Sequence, residues 1–256
     1  RDEEIALLEQ LENIKLAGIT GPPGSGKSEL ILIFASRQKH KFDVVFQIKA
    51  HSIENDFLAL AIELKKRRTA LTINHPISIK NQTPDSIRTT VKTILESASF
   101  DWALLLDGFD DITEAPNFIP TPPNKNCVTI LTSRSSYWPN KKPIPLSFLT
   151  QVDAIKLIKN ILYQNPNKIL DAELEQDCLN LANKLERSPL ALTQACYFVL
   201  RSPKSISIRE YLALFDRENQ TLLTAGEPSL DNNTQVSAAV RLTLSHLTTH
   251  PGREGL

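Results

Sequence analysis

The chain has 256 residues, 41% of them hydrophobic, enough to pack one large domain or two smaller ones. Its 29 lysines and arginines balance 29 aspartates and glutamates, so no overall field draws it toward nucleic acid, and no direct nucleic-acid partner is expected. No apolar run reaches the roughly 18 residues of a membrane span.

Cys127, Cys178 and Cys196 are far apart, odd in number and set in apolar stretches. That usage suits buried thiols in a reducing compartment, and a cytoplasmic location is expected. The chain opens on arginine and contains no methionine, which reads as a piece of a longer protein with further domains.

In the first half, short apolar runs alternate with amphipathic stretches, the pattern of a parallel sheet covered by helices. Strands are predicted at 14–20, 44–48, 102–107, 128–132 and, on a weaker pattern, 144–147. Helices are predicted at 28–40 and 53–66. A third opens at Thr83 as N-cap, with Pro84 in its first position and Ile87, Val91, Ile94 and Leu95 on one face. The fold class is therefore α/β, with a doubly wound parallel sheet over residues 1–148.

After that the strand pattern disappears. Thr150 with Asp153 forms a capping-box signature, Asp171 opens a second helix, and Ser188 caps a third that has Pro189 in its first position. Ser207 with Glu210 opens a fourth. Residues 149–217 are expected to form a small all-helical domain. The polar stretch 219–233 reads as a linker. Val236, Val240, Leu244 and Leu247 then mark an amphipathic helix, so 218–256 is expected to hold the linker and the start of a third domain.

The strongest motif joins the first strand to the first predicted helix of the α/β unit. It reads Gly21-Pro22-Pro23-Gly24-Ser25-Gly26-Lys27-Ser28, a P-loop, and it holds three of the chain's eight glycines. Glycines let the backbone wind tightly so that its N–H groups face phosphate oxygens, and the new helix adds the positive end of its dipole. In such a loop Lys27 reaches the β- and γ-phosphates of ATP or ADP, and Ser28 ligates Mg2+.

A P-loop also needs a carboxylate at the end of a neighbouring strand to hold the hydrated cation. Residues 102–107, an apolar run ending in Asp107, supply it. Asp110 and Asp111 follow, and a solvated turn would use the same residues. The run 128–133 ends at Arg134. Ligands of open α/β sheets sit beyond the carboxyl ends of the strands, which brings Arg134 near a γ-phosphate. The same arginine would serve as a surface residue closing a strand. Lys65 to Arg68 reads as the solvated basic end of a helix, and the histidines show no ligand spacing.

Four elements in order resemble one family. The P-loop, Leu104-Leu-Leu-Asp-Gly-Phe-Asp-Asp111, Thr129-Ile-Leu-Thr-Ser-Arg134 and Leu185-Glu-Arg-Ser-Pro-Leu-Ala-Leu192 are similar to the NB-ARC domain of STAND-class signalling NTPases. That family includes plant immune receptors and apoptotic protease-activating factors. The segment 42–50 resembles its second strand, with Gln47 where tryptophan is common, and 236–247 resembles the first helix of its winged-helix subdomain.

The resemblance implies that Lys27 and Ser28 are the Walker A pair, Asp107 the magnesium carboxylate and Arg134 the sensor-1 arginine. It also implies that Pro189 packs on the adenine side of the nucleotide, although Pro189 equally suits a helix start. Gly108 stands where an acidic residue often follows the magnesium carboxylate. The expected role is an ATP/ADP-controlled molecular switch that acts with other domains of a longer chain and assembles as a homo-oligomer when active. Whether it hydrolyses ATP, slowly and with Mg2+, stays open. A turnover ATPase or phosphotransferase and a non-hydrolysing scaffold are the alternatives.

Overall fold

The computed structural model describes residues 2–9, 16–135, 138, 143–202 and 206–225. The chain divides into two compact units, Arg1–Pro22 with Lys27–Leu146, and Pro23–Gly26 with Ser147–Leu256.

The first unit carries a five-stranded parallel sheet in the order β2-β3-β4-β1-β5, with β1 at Leu16–Thr20, β2 at Val44–Lys49, β3 at Trp102–Asp107, β4 at Val128–Ser133 and β5 at Ile144–Pro145. Its helices are α1 (Asp2–Glu9), α2 (Lys27–Gln38), α3 (Ile53–Lys66) and α4 (Pro84–Glu96). Successive strand residues point to opposite faces, and both faces are covered. Leu104 and Leu106 of β3 pack with Leu60 and Leu64 of α3 and Val91 and Ile94 of α4. Leu105, between them, packs with Ile5 and Leu8 of α1 and Leu30 and Ile31 of α2. This is why β3 reads as an unbroken apolar run. Every residue of β3 before Asp107 is buried.

The local signals act as their chemistry predicts. The Thr83 hydroxyl accepts from Ser86 N at 3.3 Å, with Pro84 opening α4. At the start of α3, Asp56 accepts from Lys49 N at 2.8 Å and from the Ser52 hydroxyl at 2.9 Å, fixing the turn out of β2. Two elements differ from expectation. Helix α1 is not predicted, because two buried positions one turn apart, Ile5 and Leu8, are too few to display a period. Strand β5 covers two of the four predicted residues, pairing Ile144 and Pro145 with Ile19 and Thr20.

The second unit contains α5 (Gln151–Tyr163), α6 (Ala172–Lys184), α7 (Pro189–Arg201) and α8 (Ile208–Ala225). Thr150, Asp171 and Ser188 each accept a backbone N–H three residues on, from Asp153, Leu174 and Ala191. Ser207 and Glu210 form a reciprocal capping box, with Ser207 N donating to the Glu210 carboxylate at 2.7 Å and Glu210 N to the Ser207 hydroxyl at 3.2 Å. The core gathers Ile158, Leu181, Leu185, Leu192, Ala195 and Phe215 around Tyr211, whose ring meets Phe198 edge-on at 5.5 Å. Arg209 at the start of α8 pairs with Glu173 and Asp177 of α6.

Helix α8 runs to Ala225, so residues 219–225, read above as the start of the linker, are helical. Leu222 falls seven residues after Phe215, which keeps the helical period through the polar stretch. Residues 226–256, with Val236, Val240, Leu244 and Leu247, lie outside the described residues.

Candidate functional site

Each predicted site residue occupies a defined place. Gly21 and Pro22 follow β1, Lys27 and Ser28 are the first two residues of α2, Asp107 ends β3, Arg134 follows β4, and Pro189 opens α7. Gly24 has φ +74° and Gly26 φ +93°, in the left-handed region where a side chain is strained, so the tight winding of the loop depends on glycine. The loop apex, Pro23–Gly26, is grouped with the second unit. Within that unit Leu190 N donates to Gly24 O at 3.4 Å. A methyl group on Gly24 would stand 3.2 Å from Leu190 Cβ and 3.3 Å from Ser188 Oγ. The two residues flanking Pro189 therefore lie against the apex, and α7 begins there.

In the first unit, four of the predicted residues converge at the carboxyl ends of β1, β3 and β4. Lys27 Nζ donates to the carbonyls of Gly21 at 2.8 Å and Pro22 at 2.9 Å, folded back over the entry to its own loop. Burial lowers the Lys27 pKa; the negative charges of Asp110 and Asp107 pull it back up, and Arg134 pushes it further down. Ser28 Oγ donates to Asp107 Oδ1 at 2.8 Å, across 79 residues of chain.

Two residues to which sequence reasoning gave no site role complete the arrangement. Thr132 of β4 donates its hydroxyl to Asp107 Oδ1 at 2.6 Å, and Gln47 of β2 donates Nε2 to Asp107 Oδ2 at 3.1 Å. Each had a signal: Gln47 interrupts the apolar run of β2, and Thr132 is one of two threonines in β4.

Asp107 thus carries donors on both oxygens from α2, β4 and β2. With the Ser28 hydroxyl, this oxygen-only pair suits a hard divalent cation such as Mg2+. Gly108 has φ +80° and carries no side chain, and its N–H donates to the Thr132 hydroxyl at 2.9 Å. The chain needs glycine there to turn off the strand, so an acidic side chain at that position would be strained. Beyond it, Asp110 is bound to Arg134, whereas Asp111 accepts from Thr113 N at 2.9 Å within its own turn.

A parallel sheet with β1 between β4 and β5, a glycine loop leading from β1 into a helix, and a carboxylate on β3 bonded to the loop serine define one architecture. This is the α/β P-loop fold. Solved structures agree at the level of fold. The chain is similar to the ORC2 protein of Aeropyrum pernix in its ADP form, with a TM-score of 0.52 and 14% identity over 97% of this chain and 85% of that one. It is similar to ORC1 of Aeropyrum pernix in complex with DNA, at 0.54 and 14% over 100% and 79%. It is also similar to AMPPCP-bound DnaA from Aquifex aeolicus, at 0.52 and 15% over 96% and 83%. No protein-family model and no curated protein matches the chain.

The expectation of no direct nucleic-acid partner does not survive this comparison, because a solved protein of the same fold is in complex with DNA. The flaw lies in the premise. Net charge is a sum over the whole chain and says little about one surface. Lys65 and Lys66 end α3 and Arg67 and Arg68 follow it, a local basic run inside a chain of zero net charge, with Arg67 bonded to Asp43 O and Arg68 to Ile73 O. Among the described residues, no helix is long and apolar enough to cross a membrane.

Proposed function

We propose that the chain binds ATP or ADP with Mg2+ and serves as the nucleotide switch of a STAND-type signalling protein. The observation that carries this reading is the Ser28–Asp107 hydrogen bond, which unites a P-loop hydroxyl with a strand-end carboxylate. In this reading the N–H groups of Gly24, Ser25, Gly26, Lys27 and Ser28 line the phosphates, and Lys27 leaves the carbonyls of Gly21 and Pro22 to neutralise them. Ser28 and Asp107 hold the cation, which when bound neutralises phosphate charge. The resemblance to NB-ARC domains gives Pro189 the adenine side of the nucleotide. Arg134 distinguishes a triphosphate from a diphosphate.

A switch is favoured over a turnover enzyme by two features. Gly108 offers no group to orient water beside Asp107, and the ordered set of motifs resembles NB-ARC domains. Such a switch works in the cytoplasm and changes assembly with other domains and with further copies of itself, because contacts that differ between two nucleotides bias two conformations.

The test is calorimetry with ADP and Mg2+. Lys27→Ala removes one charge-assisted contact and should weaken ADP by about tenfold to a hundredfold. Unchanged affinity in that variant would remove the phosphate role of the loop.

A further inference from the structure

Arg134 is bound to the Asp110 carboxylate. Its backbone N donates to Asp110 Oδ1 at 2.8 Å, its Nε donates to Oδ2 at 2.6 Å, and its Nη2 lies 2.5 Å from the same oxygen. The guanidinium and the backbone N–H thus hold one planar anion by charge-assisted contacts, and a guanidinium binds phosphoryl oxygens by contacts of the same kind.

The segment that presents Asp110 is anchored. It leaves β3 through Gly108, whose N–H is held by the Thr132 hydroxyl, and Phe109 N donates to Thr132 O at 2.9 Å. The Phe109 ring is buried and meets Phe118 edge-on at 5.5 Å. Asp110 is therefore delivered to the end of β4 by the strand next to it. Partial burial works against its charge, but the hydrogen bonds from Arg134 outweigh this, with further help from the Arg134 and Lys27 charges. Its pKa stays below the ordinary carboxylate value, so it is an anion at neutral pH. The two cations that act on Asp110 are Arg134, which is bound to it, and Lys27.

We infer that Asp110 is a specificity-determining residue: it occupies Arg134 in place of a γ-phosphate and biases the site toward ADP. The inference rests on the nucleotide reading above. A diphosphate can enter with the Asp110–Arg134 pair intact, whereas a triphosphate gains Arg134 only by displacing Asp110. One ion pair is exchanged for another, so the bias is small. The Arg134 and Asp110 side chains are 56% and 36% exposed, and solvent screening limits the effect to about threefold to tenfold. Lys27 contacts phosphates common to both nucleotides and does not discriminate between them.

The experiment measures binding of ADP and of a non-hydrolysable ATP analogue, both with Mg2+, by calorimetry on the whole chain and its variants. Asp110→Ala should bind the analogue about threefold to tenfold more tightly than wild type, with ADP within about twofold. Asp110→Asn, which keeps the size and loses the charge, should shift the same way by less. In the Arg134→Ala background, adding Asp110→Ala should give no gain. Analogue affinity that is unchanged or weaker in both Asp110 variants overturns the inference, as does a gain that survives without Arg134. Failure of the wild type to bind ADP would overturn the nucleotide reading itself.

Discussion

Gln47 of β2 donates its side-chain amide to Asp107 Oδ2, 3.1 Å away on the neighbouring strand. Ser28 and Thr132 both donate to the other oxygen, so three elements fix the rotation of one carboxylate. Through this bond Gln47 is a positioning residue for Asp107. Gln47→Leu should preserve the fold and raise the Mg2+ concentration needed for half-maximal nucleotide binding by about tenfold, as loss of partners behind metal ligands does elsewhere. ADP affinity in chelator should not change. A Mg2+ titration that superimposes on wild type would mean that Ser28 and Thr132 orient Asp107 without help.

Hydrolysis follows from what lies beyond Asp107. Gly108 carries no side chain, and the Asp111 carboxylate is taken up by the N–H and hydroxyl of Thr113. Those bonds hold the Asp111 pKa low, which makes it a poor base. Phosphate release with Mg2+ should therefore run well below the roughly 10 per second of a median enzyme. Asp107→Ala should abolish it, and Asp111→Ala should leave it within about twofold. Brisk wild-type release that survives Asp111→Ala and Asp110→Ala would move the turnover-enzyme reading ahead of the switch.

The helical unit should lose stability in alkali. Burial raises the Cys178 thiol from 9.0 to about 11 and the Cys196 thiol from 9.0 to about 12. A raised folded-state pKa favours the protonated fold, so its contribution is complete below pH 9 and is lost as pH climbs toward 11 and 12. The loss is at most about 1.4 kcal/mol per pH unit for each thiol. Melting temperatures measured by circular dichroism at pH 7.5, 9 and 10.5 should fall, and Cys196→Ala should flatten part of the decline. Identical slopes for both proteins would mean that other groups govern alkaline unfolding.

Much of this protein is written in short stretches of sequence. The winding of Gly21 to Ser28, the caps at Thr83, Thr150, Asp171 and Ser188, and the start of α7 at Pro189 each depend on residues within a few positions of one another. Strand β3 was equally legible, because a strand buried on both faces has to be apolar throughout. These signals were enough to indicate a P-loop sheet followed by helices, and to nominate Lys27, Ser28, Asp107 and Arg134.

What they could not indicate is which side chains share a carboxylate. Gln47 meets Asp107 across 60 residues, and Arg134 meets Asp110 across 24. Both pairings exist only because the strands lie in the order β2-β3-β4-β1-β5, which sets β3 between β2 and β4. Sequence alone left Asp110 and Asp111 as two similar acidic residues on one loop. The tertiary structure separated them: the anchoring of Phe109 to β4 turns Asp110 toward Arg134, while Asp111 closes on Thr113. A local window specifies backbone conformation and burial, but the partner of a polar group is chosen by whichever strand is packed beside it.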